Sequence, residues 1–124
     1  MKCKVVIQSE DKTQNLSCIG ELIFSEKGFS LSYDFEGDSC LLTYDGDILR
    51  HEKRGEIPVH MEFIKSKTAL CTVGEGEYRF EMPVFTNCLN VNVGIKDVNI
   101  EVDYDLAGEN KKMQILAESL NLRS

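Results

Sequence analysis

The residues of this sequence that could do chemistry are a histidine and four tyrosines set in an alternating apolar pattern. His51 belongs to the segment from Ile48 to Arg54, in which Leu49, His51 and Lys53 alternate with charged residues. An imidazole titrates near neutral pH, and a phenol both donates and accepts hydrogen bonds. Together they could hold the polar end of a bound molecule in a mostly apolar cavity. The predicted ligand-binding residues are His51, Tyr33, Tyr44, Tyr78, Tyr104 and Met61.

The same residues also have a purely structural interpretation. A core histidine can be satisfied by a tyrosine hydroxyl or a backbone carbonyl, and a buried phenol takes its partner from protein or water as readily as from a ligand. The sequence leaves both interpretations of His51 open. Lys53 lies near the end of its segment, where a lysine can extend its ammonium group to solvent.

The sequence favours a protein that is not an enzyme. Hydrolytic chemistry needs a nucleophile, a base and an orienting group, and the chain has only two histidines, His51 and His60. A pair of His51 with Cys40 or Cys71 is conceivable, but no surrounding motif supports it. We therefore predict no catalytic residue.

The cysteines do not form a metal-binding or disulfide pattern. They are odd in number and contain no C-x-x-C pair, whereas zinc sites and disulfide frameworks have closer or more regular spacing. We predict free thiols in a reducing cytoplasm, with no metal site and no cofactor. The five are Cys3, Cys18, Cys40, Cys71 and Cys88.

The charge of the chain argues against nucleic acid as a partner. The net charge is -7 at pH 7, whereas affinity for phosphates comes mainly from clustered Lys and Arg. The most basic run, Arg50 to Arg54, is short and includes an acid. The apolar run near the start is too short for a signal peptide, and nothing approaches the ~20 residues of a membrane span. We expect no membrane partner.

The elements that must position these residues are β-strands. Residues 98 to 106 alternate apolar and polar without interruption, and turn signals such as Asp45-Gly46-Asp47 recur about every ten residues along the chain. Lys111 to Leu120 fits either a helical stripe or a strand. We favour a strand, because the segment follows a turn after the clearest strand and could pair with it. The one long loop runs from Ser9 to Asn15.

Successive hairpins with short loops predict a single all-β domain over residues 1–124. Its architecture is an antiparallel up-and-down (meander) β-barrel of about 8–10 strands, since a regular meander tends to close rather than leave two exposed edges.

Opposed residues of a hairpin project from the same face, so the turns predict which side chains share the interior. An even-numbered loop at Asp45-Gly46-Asp47 turns His51 inward with Cys40. All four tyrosines and four of the five cysteines are predicted to point inward, with only Cys88 outward. The predicted opposed pairs are Phe24 with Phe29, Phe35 with Cys40, Val73 with Tyr78, Val84 with Leu89, Ile95 with Val98, and Tyr104 with Met113.

The order of several short motifs resembles the YwiB-like bacterial family of unknown function. The motifs are Leu31-Ser32-Tyr33, Lys53-Arg54-Gly55, Met61-Glu62-Phe63, Thr72 to Gly76, Thr86, and Tyr104-Asp105-Leu106. The resemblance covers nearly the whole chain and implies a calycin-type barrel, related to lipocalins and fatty-acid-binding proteins. It brings no established activity, and only the fold analogy suggests a lumen that holds a ligand.

Two functions are consistent with these features. The first is a small cytoplasmic barrel, monomeric or homodimeric, that binds a small and partly apolar molecule in its lumen. The alternative is a protein-interaction or self-association module with a filled core and no ligand. Its motivation is a set of outward apolar residues that could form a patch: Leu41, Ile57, Ile64 and Leu70.

Overall fold

The alternating sequence folds into ten strands and one short helix. The computed structural model describes residues 1–9 and 15–120. The strands are β1 (Lys2–Ser9), β2 (Asn15–Phe24), β3 (Phe29–Phe35), β4 (Asp38–Tyr44), β5 (Ile48–Arg54), β6 (Val59–Ile64), β7 (Thr68–Val73), β8 (Phe80–Val93), β9 (Asp97–Leu106) and β10 (Glu109–Ser119), with a 3₁₀ helix at Gly76–Tyr78.

The ten strands close into one antiparallel barrel. Each strand pairs with its neighbours along the chain, and β1 pairs with β10 to complete the cylinder. The predicted all-β up-and-down barrel is therefore confirmed, as is the strand over most of residues 111 to 120. The predicted long loop falls on residues 10–14, which lie outside the described residues.

The barrel has two ends that differ in their connections. We call the end that carries the turns at residues 25–28, 45–47, 65–67 and 94–96 the lower end. The upper end carries the connections at residues 36–37, 55–58, 74–79 and 107–108. Odd-numbered strands run from the lower end to the upper end.

Several predicted hairpin registers are wrong by two residues. Phe24 opposes Phe29 as predicted, but Cys40 opposes Tyr33 rather than Phe35. The reason is a two-residue turn at Glu36-Gly37, whose φ angles of 50° and 84° suit the tight type I′ hairpin. A similar turn at Ala107-Gly108 pairs Tyr104 with Lys111 instead of Met113. A shift of two residues keeps each side chain on its face, so the inward set is largely preserved.

The longer connections move two predicted inward residues out of place. Val73 opposes Phe80, and Val93 opposes Val98. Tyr78 and Ile95 consequently lie in the connections and are exposed. The prediction that Tyr78 and Ile95 point inward is wrong, because the turns that hold them are wider than the residue pattern indicated.

A β-bulge replaces the turn that was predicted between Val84 and Leu89. β8 continues through this region as one 14-residue strand, with a shift in register between Thr86 and Cys88. Because of the extra residue, the inward side chains of β8 have even numbers before the bulge and odd numbers after it. In the sequence, this change of alternation looks like a turn.

The interior divides into two halves. The inward side chains nearest the lower end, such as Phe24, Tyr44 and Val91, are only partly buried. Those further in, which we call the lower interior, form a closed apolar core in which each member is at most 2% exposed. They include Cys3, Leu22, Phe29, Leu31, Leu49, Phe63, Val98, Ile100, Ile115 and Ala117. We call the inward side chains from mid-height to the upper end the upper interior. Tyr33, Cys40, Leu42, Cys71 and Val84 are buried there. The remaining members are half-buried: Ile7, Cys18, Phe35, His51, Lys53, Val59, Met61, Val73, Met82, Tyr104 and Met113.

Candidate functional site

The upper interior brings Tyr33 and His51 into contact across β4. The Tyr33 hydroxyl lies 3.4 Å from Nε2 of His51. Cross-strand pairing explains this approach, because Cys40 opposes both Tyr33 and Lys53, and His51 precedes Lys53 by two residues on the inward face of β5. The prediction that His51 points inward is confirmed, since it opposes Leu42 on one side and Met61 on the other.

The His51 ring is neutral at physiological pH. Burial lowers its pKa to about 4, and the nearby positive charge of Lys53 acts in the same direction. The side chain nevertheless retains accessible surface.

The groups around His51 remain protonated at neutral pH. Burial raises the pKa of the Tyr33 phenol, with further contributions from Cys40 and Cys18. Burial likewise raises the pKa of the Cys40 and Cys71 thiols. Because the thiolate is the reactive form, these cysteines are poorly suited to act as nucleophiles. Within residues 1–9 and 15–120, His51 hydrogen-bonds to Tyr33 and to no cysteine.

An ion pair between Lys53 and Asp38 lies at the upper end of the barrel. Nζ of Lys53 lies 3.2 Å from Oδ2 of Asp38, and both side chains are partly exposed. Asp38 packs against Gly55 so closely that a Cβ at Gly55 would overlap its carboxylate. The motif Lys53-Arg54-Gly55 thus has a physical explanation: the lysine pairs with Asp38, and the glycine leaves room for it.

Asp38 is the site residue that the sequence analysis missed. It was treated as part of a turn, whereas it opposes Phe35 as the first residue of β4. The signal that could have found it is the pair Glu36-Gly37. A two-residue turn there places Asp38 on the same face as Cys40.

Tyr104 and Met61 belong to the same region as His51. Met61 opposes His51 and Cys71. The Tyr104 ring stacks at a tilt against Phe63, with 4.9 Å between ring centroids. Burial raises the pKa of Tyr104, and the neighbouring Cys71 thiol adds to this effect. Tyr104 therefore lies between Cys71 in the upper interior and Phe63 in the lower interior.

A cavity of about 520 Å³ opens beside Tyr104 at the upper end. Ile7, Tyr104, Lys111 and Met113 line it from the inward face, together with Asn110 and Lys112 of the outer face, and neither Tyr33 nor His51 lines it. A second depression, of about 370 Å³, is lined by residues of β1 and β8–β10, among them the outward-facing Cys88, Glu101 and Gln114. None of the predicted ligand-binding residues lines this second depression, so we place the candidate site in the upper interior.

The remaining two predicted residues do not belong to this site. Tyr44 lies at the lower end, where its hydroxyl donates a hydrogen bond to the carbonyl of Gly46 at 2.8 Å. Tyr78 lies outside the barrel and is 85% exposed. Of the six predicted residues, the structure brings together Tyr33, His51, Met61 and Tyr104.

Thr86, which belongs to the motifs that resemble the YwiB-like family, holds a turn through its backbone. Its backbone carbonyl accepts a hydrogen bond from Ser66 at 2.8 Å, and its N–H donates to Lys67 at 3.2 Å. These bonds hold the turn between β6 and β7 against the β8 bulge. The Thr86 hydroxyl is fully buried and has no hydrogen-bond partner among the described residues.

Two further searches cover the part of the chain that the structure describes. No group of three or more His, Cys, Asp or Glu side chains is arranged to hold a metal ion within it. No helix in the same residues is long and apolar enough to span a membrane.

Comparisons with known proteins identify the fold and a domain family. The family described as domain of unknown function DUF1934 matches residues 1–117. The crystal structure of the YwiB protein from Bacillus subtilis is similar with a TM-score of 0.77 and 14% sequence identity, over 95% of this chain and 89% of that chain. No curated protein matches the sequence. At this identity the structural likeness shows the shared barrel fold alone.

Proposed function

We propose, from the premise that this chain belongs to the DUF1934 family of domains of unknown function, that it binds a small, partly apolar molecule in its upper interior. The observation that carries the proposal is the difference between the two halves of one barrel. The lower interior is filled, while the inward side chains above it keep accessible surface around a His–Tyr contact.

The composition of the upper interior supports a ligand of mixed polarity. Ligand cavities are mostly apolar and carry a few placed polar groups. Val59, Met61 and Met82 supply half-buried apolar surface, and methionines adapt to differently shaped partners. Tyr33 and His51 supply polar groups, and a separate cavity opens beside Tyr104 at the same end of the barrel. Barrels of this size class can hold one small ligand, as lipocalins do.

The protonation of the polar groups favours binding over catalysis. A catalytic nucleophile or base works best with a pKa near the operating pH. Here burial moves the pKa of His51, Tyr33 and Cys40 away from neutrality in each case. We accordingly assign the site no catalytic step.

The cellular setting and assembly form part of the same proposal. All five cysteines are free, which suits the reducing cytoplasm of a bacterium, and a calycin-like carrier of this kind works as a monomer or homodimer. The alternative of an apolar docking patch has less support. Leu41 and Leu70 lie on β4 and β7, separated by a charged outer surface in which Arg50 pairs with Glu62 at 2.8 Å.

The experiment is a titration with the neutral fluorescent probe N-phenyl-1-naphthylamine, which brightens in apolar cavities. The full chain is compared with Met61→Trp, which adds bulk opposite His51. The matched control is Leu70→Trp on the outer face of β7, where Leu70 is 53% exposed. We expect Met61→Trp to weaken probe binding at least tenfold and Leu70→Trp to leave it unchanged.

Both variants are checked by circular dichroism, so that loss of fold is separated from loss of the cavity. Equal loss of binding in the two variants would contradict the proposal, as would normal binding by a folded Met61→Trp protein. Native mass spectrometry of gently purified protein then reports any retained ligand and the oligomeric state.

A further inference from the structure

An apolar area lies on the outer surface of β6, β7 and β8. Thr68 opposes Phe85 and Leu70 opposes Pro83, so their side chains form two neighbouring rows across β7 and β8. Leu70, Pro83 and Phe85 are exposed. Ile64 continues the lower row onto β6, because it ends β6 where Thr68 begins β7. We call these five residues the outer apolar face.

The two ends of the outer apolar face carry opposite charges. Below it, the turn at residues 65–67 contains two exposed lysines, and no ion pair involves either ammonium group within residues 1–9 and 15–120. Above it, residues 74–81 carry three glutamates and one arginine, a net charge of -2. Arg79 pairs with Glu81 at 3.0 Å, so the excess negative charge comes from Glu75 and Glu77, which are both exposed.

These opposite charges make the outer apolar face complementary to itself when it is turned upside down. Most homodimers have a two-fold axis, so that one patch meets its own copy. An axis that crosses β7 between Thr68 and Leu70 places Phe85 on the second copy's Pro83. The same rotation places the two lysines of residues 65–67 opposite the glutamates of the second copy's residues 74–79, once at each end. These contacts reduce the repulsion between two chains that each carry a net charge of -7.

We propose that the outer apolar face binds a second copy of this chain in a two-fold dimer with antiparallel β7 strands. An apolar centre with a charged rim is the common anatomy of a protein interface. Leu41 lies on the other side of the ion pair between Arg50 and Glu62 and takes no part. The face is small, so we expect a dimer Kd of about 10–100 μM. Its side chains point away from the interior, so the dimer and the proposed ligand site can each fail without the other.

Sedimentation equilibrium of the full chain at about 5–500 μM tests the proposal, and we expect a reversible monomer–dimer equilibrium. Leu70→Lys should raise the dimer Kd at least about tenfold, because it places an ammonium group against an apolar surface. The matched control is Ile19→Lys on the outer face of β2, where Ile19 is 57% exposed compared with 53% for Leu70. The control should leave the Kd unchanged. Circular dichroism verifies that both variants are folded.

Charge reversal at the two ends tests the two-fold arrangement. Lys65→Glu with Lys67→Glu should weaken the dimer, and so should Glu75→Lys with Glu77→Lys. The variant that combines all four substitutions keeps the net charge of the wild-type chain and should regain its Kd. A combined variant no better than either parent would overturn the antiparallel arrangement. A wild-type chain that is monomeric at every concentration would overturn the second copy as the occupant and leave the face to a different protein. An unchanged Kd in folded Leu70→Lys would overturn this face as the interface.

Discussion

The lower and upper halves of the barrel interior are built from the same ten strands but differ in the polarity and burial of their side chains. In the lower interior, Phe29, Leu49 and Phe63 are at most 2% exposed, and nothing polar interrupts their packing. In the upper interior, equivalent inward positions hold His51 and Lys53, and most apolar neighbours keep accessible surface. The same ten strands contribute to both halves, and their side chains differ between the two.

This difference indicates which part of the interior stabilises the folded barrel and which part stabilises it less. Burial of apolar surface is the main favourable term in folding, and the lower interior supplies it. A buried imidazole kept neutral and a phenol removed from water both cost free energy unless their hydrogen bonds are made. The upper interior retains these groups, which agrees with the binding role that we propose for it.

The largest expected effect is on the free energy of unfolding, for which one substitution in the lower interior is compared with one in the upper interior. Phe63→Ala in the lower interior should cost about 3–5 kcal/mol of unfolding free energy, because it leaves a cavity beneath Tyr104. Phe35→Ala near the upper end removes the same group from a half-buried position and should cost about 1–2 kcal/mol. Urea unfolding measures both. Equal losses would show that the upper interior packs as tightly as the lower.

Most of the fold could be predicted from the sequence because alternation and turn residues act locally. The strand pattern, closure into a meander barrel and family resemblance are all confirmed. Exact registers were not predictable, because a two-residue shift at Glu36-Gly37 preserves the hydrophobic pattern. The bulge after Thr86 was missed for a related reason: a change of phase within one strand looks like a turn.

The site was predictable only in part because it depends on register and depth. The inward direction of His51 followed from one even-numbered loop, and the structure confirms it. Its contact with Tyr33 and the pairing of Lys53 with Asp38 required the actual turn lengths. Depth also distinguishes Tyr44 from Tyr33, since both face inward by pattern but lie at opposite ends of the barrel.

The second effect is a pH dependence that belongs to the upper interior. The unfolded chain protonates a histidine near pH 6.5, whereas folded His51 resists protonation until about pH 4. Between these values the unfolded state binds more protons, so stability falls as pH falls. Lowering the pH from about 7.5 to 5 should cost about 2 kcal/mol through His51.

His51→Gln should remove this part of the pH dependence, and His60→Gln on the outer face of β6 should not. Unfolding free energies measured across the pH range give the slopes directly. Parallel curves for the wild-type chain and His51→Gln would mean that the ring titrates as it does in water.

The third prediction compares the loss of stability when a tyrosine is replaced at each end of the barrel. Tyr33→Phe should cost about 1 kcal/mol, because it removes the hydrogen bond to buried His51. Tyr44→Phe should cost less, since its bond to Gly46 lies in an exposed turn where water replaces it. Nitrogen NMR shifts of the His51 ring should change tautomer signature in Tyr33→Phe alone. The same change in both variants would contradict a hydrogen bond between Tyr33 and His51.

The smallest effect on stability should come from the ion pair between Lys53 and Asp38 at the upper end. Asp38→Asn keeps the shape that fits against Gly55 and weakens the 3.2 Å pair with Lys53. Both side chains are partly exposed, so stability should change by less than about 1 kcal/mol. Asp34→Asn, on the exposed outer face of β3, should leave stability unchanged. If Asp38→Asn instead destabilised the barrel as strongly as Phe63→Ala, the polar groups of the upper interior would be structural, and the contrast between the two halves would fail.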